Sequence, residues 1–164
     1  MTASNDEYYM RRAIELAKEG QRTPGCGAIG CVIVHDGIII GEGYNEEKVT
    51  CDPTAHGEIM ALRTAGQITG QSRFPGATLY STLQPCGMCS MACIWGGISR
   101  IVYGAERHQV HSMYFEGRHL QTMDFVRDAF KDDLTVVGGV LGDDCAKLYY
   151  GPEDNPPPEE RTNT

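Results

Sequence analysis

Hydrophobic and polar positions alternate along the chain in patterns that predict helices interleaved with strands. Apolar side chains recur at helical spacing over residues 7–19, and Gly20 ends this predicted helix. The apolar, β-branched runs 27–35 and 38–41 flank the dipeptide Asp36-Gly37. Because an Asp-Gly pair between two such runs is typical of a hairpin turn, two antiparallel strands are predicted here.

Two further helices are predicted from the residues that can start and stop them. Thr54 is a suitable N-cap and Gly66 a suitable stop, which places His56 and Glu58 in the first turn of one helix. The other helix is predicted to open at Pro85-Cys86 and to stop at the next pair of glycines. Each of these helices therefore carries chemically reactive side chains close to its N-terminus.

Three more β-rich runs and a terminal helix complete the pattern. Strands are predicted over residues 77–83, 99–103 and 134–140, and a helix over 143–150. Helices that alternate with strands after an opening hairpin are typical of a mixed sheet with helices on both faces. The predicted fold class is therefore α/β.

The length of 164 residues fits one domain, which we place at residues 1–150. Residues 151–164 are rich in proline and acidic side chains, and they are predicted to be mobile or to close over the site. No apolar run approaches the length of a membrane span, and the N-terminus lacks the basic and apolar regions of a signal peptide. We therefore expect a cytoplasmic protein without a membrane partner.

The formal net charge of −8 bears on the expected partners. Binding to a phosphate backbone relies on clustered lysine and arginine, so this charge argues against nucleic acid as a partner.

The chain has seven cysteines, an odd number. In a reducing compartment, neighbouring cysteines more often bind a metal or perform redox chemistry than form disulfides.

Two short motifs carry the candidate chemistry, His56-Gly57-Glu58 and Cys86-x-x-Cys89. The two sulfurs lie about one helical turn apart and can bind one ion, and the histidine can supply a third ligand from the other helix. One nitrogen and two sulfurs suit zinc, and three protein ligands leave the fourth tetrahedral position for water. The glutamate can then take a proton from that water and pass it on. An H-x-E motif followed by P-C-x-x-C is the recognised pattern of zinc deaminases.

Two other interpretations of these motifs stay open. A Cys-x-x-Cys pair can be a redox centre, although such centres do not require a matching His-x-Glu. A closed structural zinc site needs a fourth protein ligand, which Cys51, Cys93 or His111 could supply. A closed site would make the chain a non-enzymatic zinc-binding interaction protein.

From about Tyr8 to Tyr149 the chain resembles the cytidine deaminase superfamily, and within it the branch of cytosine deaminases, guanine deaminases and bacterial tRNA adenosine deaminases. The segment 52–62, DPTAHGEIMAL, is similar to guanine and tRNA adenosine deaminases. The HGE tripeptide and the segment 78–89, TLYSTLQPCGMC, resemble fungal cytosine deaminases. The resemblance implies a three-layer α/β/α fold with a mixed five-stranded sheet, a zinc cofactor and a homodimer.

The resemblance also implies a reaction and residues that perform it. The reaction is hydrolysis at the ring carbon that carries the amino group, and Glu58 shuttles the protons. Asn45 lies eleven residues before His56, as the substrate-binding asparagine of this branch does, and the Gly57 backbone is expected at the polar edge of the substrate. Alternatively, Asn45 stabilises a turn and Gly57 is only a small residue beside the metal.

Further residues are candidates for the mouth of the substrate pocket. His108, Tyr114 and Phe115 follow the strand predicted at 99–103, where the family places the pocket, and an aromatic ring there can stack on a base. Packing of this loop onto its own domain is the alternative. In the fungal cytosine deaminases that the chain resembles, C-terminal aromatic and acidic residues close over the base, so the resemblance makes Asp154 a candidate for this role; an ordinary polar surface position is the alternative.

Gln109 and the acidic C-terminus bear on the identity of the substrate. Bacterial guanine deaminases carry an acid where this chain has Gln109, and a glutamine offers both a donor and an acceptor. The tRNA enzymes usually carry basic residues in their later helices, whereas the last segment here is acidic. We therefore expect a small aminated nucleobase or related heterocycle as substrate, cytosine first and guanine second, with adenosine in tRNA as the alternative.

Overall fold

The structure is a computed structural model that describes residues 3–115 and 134–157. Within these ranges the chain forms five strands and five α-helices, and two short 3-10 helices follow the fourth strand. In chain order, the elements are α1 Ala3–Arg22, β1 Gly30–His35, β2 Ile38–Tyr44, α2 Glu47–Thr50, α3 Gly57–Thr69, β3 Thr78–Leu83, α4 Gly87–Trp95, β4 Arg100–Ala105, the 3-10 helices Arg107–Gln109 and Ser112–Tyr114, β5 Thr135–Val137 and α5 Gly142–Ala146.

The five strands form one mixed sheet in the order β2-β1-β3-β4-β5. Strand β1 pairs antiparallel with both β2 and β3, and parallel pairs join β3 to β4 and β4 to β5. The hairpin between β1 and β2 turns at Asp36 and Gly37, which both have positive φ, at 49° and 79°. Two successive residues with positive φ are typical of a type I′ turn. The predicted hairpin and the predicted mixed sheet are therefore confirmed.

Helices cover both faces of the sheet, so its central strands are buried on both sides. All six residues of β3 are buried, and so are the first five of β1. On one face, Met10 of α1 packs in a core that also contains Val32 and Cys145. On the other face, Ala61 of α3 and Cys93 of α4 belong to a second core. The three-layer α/β/α architecture is confirmed.

The ends of α3 differ from the sequence prediction. The N-cap is His56 rather than Thr54, and the helix continues through Gly66 to end at Gly70, which has a φ of 68°. A glycine inside a helix costs only about 1 kcal/mol relative to alanine, so packing of α3 on the sheet can override the predicted stop. In addition, α1 begins earlier than predicted, and β5 and α5 are shorter.

Asp6 ties the first turn of α1 to the middle of the sheet. Its buried carboxylate accepts two hydrogen bonds from the Arg100 guanidinium, at 2.7 and 2.8 Å, and one from the Tyr80 hydroxyl, at 2.8 Å. The hydrogen bonding to Arg100 is the main cause that lowers the pKa of Asp6 below its ordinary value. A carboxyl group with a pKa lowered by folding stabilises the folded state in its ionised form.

We expect Asp6→Asn to lower the free energy of unfolding at neutral pH by about 2–3 kcal/mol, because Arg100 is left partly buried without its counter-charge. The carboxylate contributes fully above the pKa of an unfolded aspartate, about 3.9, and its contribution fades as pH falls through the lower folded pKa. The two proteins should therefore converge in stability in acid. Urea unfolding at neutral and acidic pH measures this, and an equal loss at both pH values would contradict the ionic explanation.

Part of the predicted tail packs on the domain. Pro156 is buried, and the backbone N–H of His111 donates to the carbonyl of Tyr150 at 2.7 Å. Residues 158–164 of the tail, and residues 116–133, lie outside the described residues. None of the helices described here has the length and apolar character that crossing a membrane requires.

Candidate active site

Three chain segments bring the predicted catalytic residues together. Asn45 follows the end of β2, His56 immediately precedes α3, and Cys86 immediately precedes α4. His56 and Cys86 both occupy N-cap positions with extended backbone, and neither side chain caps its own helix. The N-termini of two helices thus meet at one place, and the free N–H groups there favour negative charge.

His56, Cys86 and Cys89 form a compact group of metal-ligating atoms. Nδ1 of His56 lies 3.7 Å from the Cys86 sulfur and 3.6 Å from the Cys89 sulfur. The three ligand atoms all lie within 4.8 Å of one another, and no fourth residue among those described joins the group. Cys93 is buried in the core and Cys51 is exposed. This arrangement disfavours a closed structural site.

The two cysteines of the group differ in their readiness to ionise. A hydrogen bond with the Cys89 thiol, together with a bond to His56, lowers the pKa of Cys86 to about 4. The same interaction with Cys86, together with burial, raises the pKa of Cys89. The lowered pKa favours the thiolate of Cys86, the form that binds a metal. With one imidazole nitrogen and two sulfurs, the donor set fits zinc.

Glu58 lies in the first turn of α3 and is only 3% exposed. The Ser81 hydroxyl donates to its Oε1 at 3.3 Å, whereas Oε2 is buried and accepts no hydrogen bond from the described residues. Burial, followed by the negative charge of Cys86, raises the pKa of Glu58. A buried carboxylate with one unpartnered oxygen and a raised pKa is well suited to accept and release a proton.

The amide of Asn45 is held at both of its ends. The Gly57 backbone N–H donates to Oδ1 at 2.7 Å, and Nδ2 donates to Oε1 of Glu47 at 3.2 Å. Because the amide has a second lone pair and a second N–H, it can still offer an acceptor and a donor to a ligand. Gly57 is tightly enclosed, since a Cβ there would lie 2.5 Å from the Ile29 carbonyl oxygen. Asn45 thus fixes the start of α3 and faces the site at the same time.

A cavity of ≈ 560 Å³ opens beside His56 and Asn45. This volume falls within the range of small-molecule binding sites. The predicted rim residue Tyr114 lines the cavity, and its ring packs edge-on against that of Tyr149 with centroids 5.1 Å apart. Other lining residues that the sequence analysis did not assign to the pocket include Glu47, Lys48, Met113 and Leu148.

Residues 3–105 match a family described as the cytidine and deoxycytidylate deaminase zinc-binding region. This match spans more than half of the chain and contains the whole group of metal-ligating residues together with Glu58. The chain belongs to the cytidine and deoxycytidylate deaminase family. It is therefore a hydrolytic deaminase of the zinc-dependent type, and the non-enzymatic interpretation is not retained.

Two kinds of relative are similar to this deaminase. A tRNA-specific adenosine deaminase from Haemophilus influenzae is 38% identical over 87% of this chain and 79% of its own length. A guanine deaminase from Bacillus subtilis is 40% identical over 62% of this chain and 65% of its own length. A solved structure from a study of A-to-I editing by tRNA:A34 deaminases has a TM-score of 0.73 and 30% identity, and it covers 86% of this chain and 98% of that one.

The relatives also correct the expected substrate. Their names point to adenosine in tRNA or to guanine, so cytosine as the first choice has no support from them. They weaken the expectation that nucleic acid is not a partner, which was based on the net charge alone. The branch of the superfamily named from the sequence motifs is confirmed.

In this deaminase, His108 and Gln109 do not line the cavity beside His56. They line a separate recess of ≈ 280 Å³ together with Glu106. The Gln109 side chain accepts a hydrogen bond from the Glu106 backbone N–H at 2.8 Å and closes a capping box around the first 3-10 helix. In this structure the Gln109 side chain is thus engaged within its own loop, and its contact with a substrate, like that of His108, stays a prediction.

Phe115 and Asp154 also lie away from the cavity. Phe115 is 3% exposed and packs in the core, with the Arg107 guanidinium 4.7 Å from its ring centroid. The exposed Asp154 accepts a hydrogen bond from the Gly151 backbone N–H at 2.6 Å, which stabilises a turn. In this structure Phe115 thus packs on its own domain and Asp154 stabilises a turn, and a substrate contact of either residue stays a prediction.

Proposed function

We propose that this deaminase removes the exocyclic amino group of a purine, with adenosine in tRNA as the first candidate. The similarity to the Haemophilus influenzae tRNA-specific adenosine deaminase supports this proposal because it extends over 87% of the chain. The guanine deaminase relative supports a purine more generally. Deamination of adenosine replaces the amino group on C6 by oxygen and releases ammonia.

The observation that carries the chemistry is the buried carboxylate of Glu58 beside His56, Cys86 and Cys89. We propose that the latter three residues hold the zinc ion, which lowers the pKa of a water molecule to about 7 when bound. Glu58 then accepts a proton from water through its unpartnered Oε2. The same carboxyl group donates protons to the ring nitrogen and to the leaving ammonia, so one residue serves as base and acid.

Asn45 and Tyr114 are proposed to contact the purine, and Gly57 to hold Asn45 and the start of α3 in place. The Asn45 amide presents its remaining N–H and lone pair to the polar edge of the base. The Gly57 backbone, fixed by that same amide, orients the start of α3 and with it the carboxylate of Glu58. Tyr114 offers an aromatic ring on the cavity wall, on which a flat base can stack.

Free guanine is the second candidate, and the distribution of charge favours it. The net charge is −8, and four arginines of the described chain pair with carboxylates: Arg11 with Glu7, Arg12 with Glu42, Arg63 with Asp52, and Arg100 with Asp6. Cations paired in this way contribute less to a phosphate-binding surface. The cavity of ≈ 560 Å³ is large enough to hold a free base.

Ammonia release from a panel of tRNA, adenosine, adenine, guanine and cytosine separates these candidates. If tRNA is the substrate, kcat/KM should fall by about tenfold or more between 50 and 200 mM salt, as expected for two or more phosphate contacts. Turnover of free guanine should depend only weakly on salt, because guanine carries no phosphate. Turnover of cytosine alone would contradict a purine substrate, and turnover of none of the five would contradict the proposal as a whole.

The homodimer expected from the family forms part of this proposal. Trp95, at the C-terminal end of α4, is 71% exposed in the single chain, so it is not a core residue. Because aromatic residues are enriched at the cores of protein–protein interfaces, Trp95 is our candidate for a side chain that a second subunit covers.

A further inference from the structure

The carboxylate of Glu47 lies between the two functional halves of the site. Glu47 is the first residue of α2 and lines the cavity. Its Oε1 accepts a hydrogen bond from Nδ2 of Asn45 at 3.2 Å and lies 3.5 Å from Nε2 of His56. One oxygen atom therefore contacts both the amide that faces the substrate and the imidazole of the metal-ligating group.

The contact with His56 places the Glu47 carboxylate beside the ring nitrogen that faces away from the two sulfurs. Nδ1 of His56 faces the sulfurs of Cys86 and Cys89, so this nitrogen is the one that can bind the ion. A neutral imidazole that binds a metal through Nδ1 keeps its proton on Nε2, the nitrogen that faces Glu47. A carboxylate 3.5 Å from Nε2 favours the tautomer with its proton there, and carboxylates next to metal-ligating histidines help to orient the ring and raise the basicity of the ligand nitrogen.

The contact with Asn45 determines the orientation of the amide. The Gly57 N–H can only donate, so the oxygen of the amide must face it. The carboxylate of Glu47 accepts, so the nitrogen of the amide must face that side. With both neighbours present, rotation of the amide by 180° would lose two hydrogen bonds. The face that Asn45 shows to a ligand is therefore set in part by Glu47.

We propose that Glu47 is a positioning residue that couples substrate recognition by Asn45 to metal binding by His56. The proposal rests on the proposed function, in which His56 binds zinc and Asn45 binds the base. An acid in the first turn of a helix also has an ordinary role, since it interacts favourably with the helix dipole. The two roles differ in what they require, because the dipole needs only a charge, whereas positioning needs an acceptor oxygen at the right distance from Asn45 and His56.

Zinc affinity tests the proposal without the need for a substrate. Metal-free protein is titrated with zinc in competition with a chromophoric chelator, for the wild type, Glu47→Ala, Glu47→Asp, Glu47→Gln and the neighbouring control Glu46→Ala. We expect the zinc Kd of Glu47→Ala to rise about 10–100-fold, as for loss of other carboxylates that support a metal-ligating histidine. Glu47→Asp keeps the charge but not the reach, so it should also bind zinc more weakly, while Glu47→Gln should recover part of the affinity and Glu46→Ala should match the wild type.

Kinetics provides the second measurement, with the substrate identified by the panel. We expect Glu47→Ala to raise KM, because the Asn45 amide loses its fixed orientation, in addition to the loss of zinc affinity. Equal zinc affinity and equal KM in the wild type and in a folded Glu47→Ala variant would overturn the proposal. If Glu47→Ala fails to fold, Glu47→Asp with unchanged zinc affinity and KM would overturn it instead. A wild-type protein that binds no zinc would refute the proposed function itself. This result differs from unchanged zinc affinity and KM in a Glu47 variant, which would overturn only the role of Glu47.

Discussion

Replacing Glu58 with glutamine should lower kcat by about 10²–10⁴-fold, the usual contribution of a general acid–base group. Glutamine keeps the size of the side chain and the hydrogen bond from Ser81, but it can neither accept a proton from water nor deliver one to the ring. Ammonia release by the wild type and by Glu58→Gln on the best substrate of the panel measures the effect.

Zinc content and thermal unfolding serve as controls for Glu58→Gln. Both should stay close to those of the wild type, because Glu58 is not among the three residues of the metal-ligating group. The negative charge of Cys86 raises the pKa of Glu58 in the wild type, so the two charges repel each other. Replacing Glu58 with glutamine removes this repulsion. Retention of full activity by this variant would show that the proposed proton transfer is wrong.

Loss of one metal ligand should abolish both zinc binding and turnover. In Cys86→Ala the group retains only His56 and Cys89, too few to hold a zinc ion in a tetrahedral site. We expect ammonia release to fall to the uncatalysed background. Zinc at about 100 times its Kd should raise the free energy of unfolding of the wild type by about 2.7 kcal/mol and that of Cys86→Ala by much less. Metal analysis and thermal unfolding with and without zinc measure these effects.

Cys51→Ala is the matched control for the loss of a ligand. Cys51 is exposed and does not belong to the metal-ligating group, so this variant should bind zinc and turn over substrate as the wild type does. A chelator should inactivate the wild type and Cys51→Ala alike, and added zinc should restore both. Full zinc content in Cys86→Ala would contradict the assignment of the ligands.

The metal-ligating group was predictable from the sequence because its chemistry depends on local spacing. Cys86 and Cys89 are three residues apart at a helix start, and the same spacing brings them together in the structure. The motif around His56 was assigned to the correct helix, although the expected start at Thr54 was two residues early. A cap prediction weighs only local hydrogen bonding, whereas the position of this helix is set by its packing on the sheet.

The substrate pocket was only partly predictable, because its wall is made by long-range contacts. Tyr114 lines the cavity, but its neighbour Phe115 faces the core, and a sequence without regular periodicity does not tell which of two adjacent rings points inward. Gln109 was compared with a substrate-binding acid of guanine deaminases from its position alone. In the structure its side chain accepts a hydrogen bond from the backbone N–H of the residue three positions earlier. Glu47 was missed because its partner His56 lies nine residues away, on the other side of a loop.

The two helices of the site begin at residues that do not cap them, and this has a consequence for the evolution of the fold. An N-cap serine, threonine, aspartate or asparagine usually stabilises a helix by about 1 kcal/mol, but these two positions hold His56 and Cys86. The enzyme thus trades stability for activity at the two points where a single substitution could raise stability. Selection or engineering for thermal stability alone would favour a capping residue at either position. Such a substitution would remove a metal ligand and with it the deaminase activity.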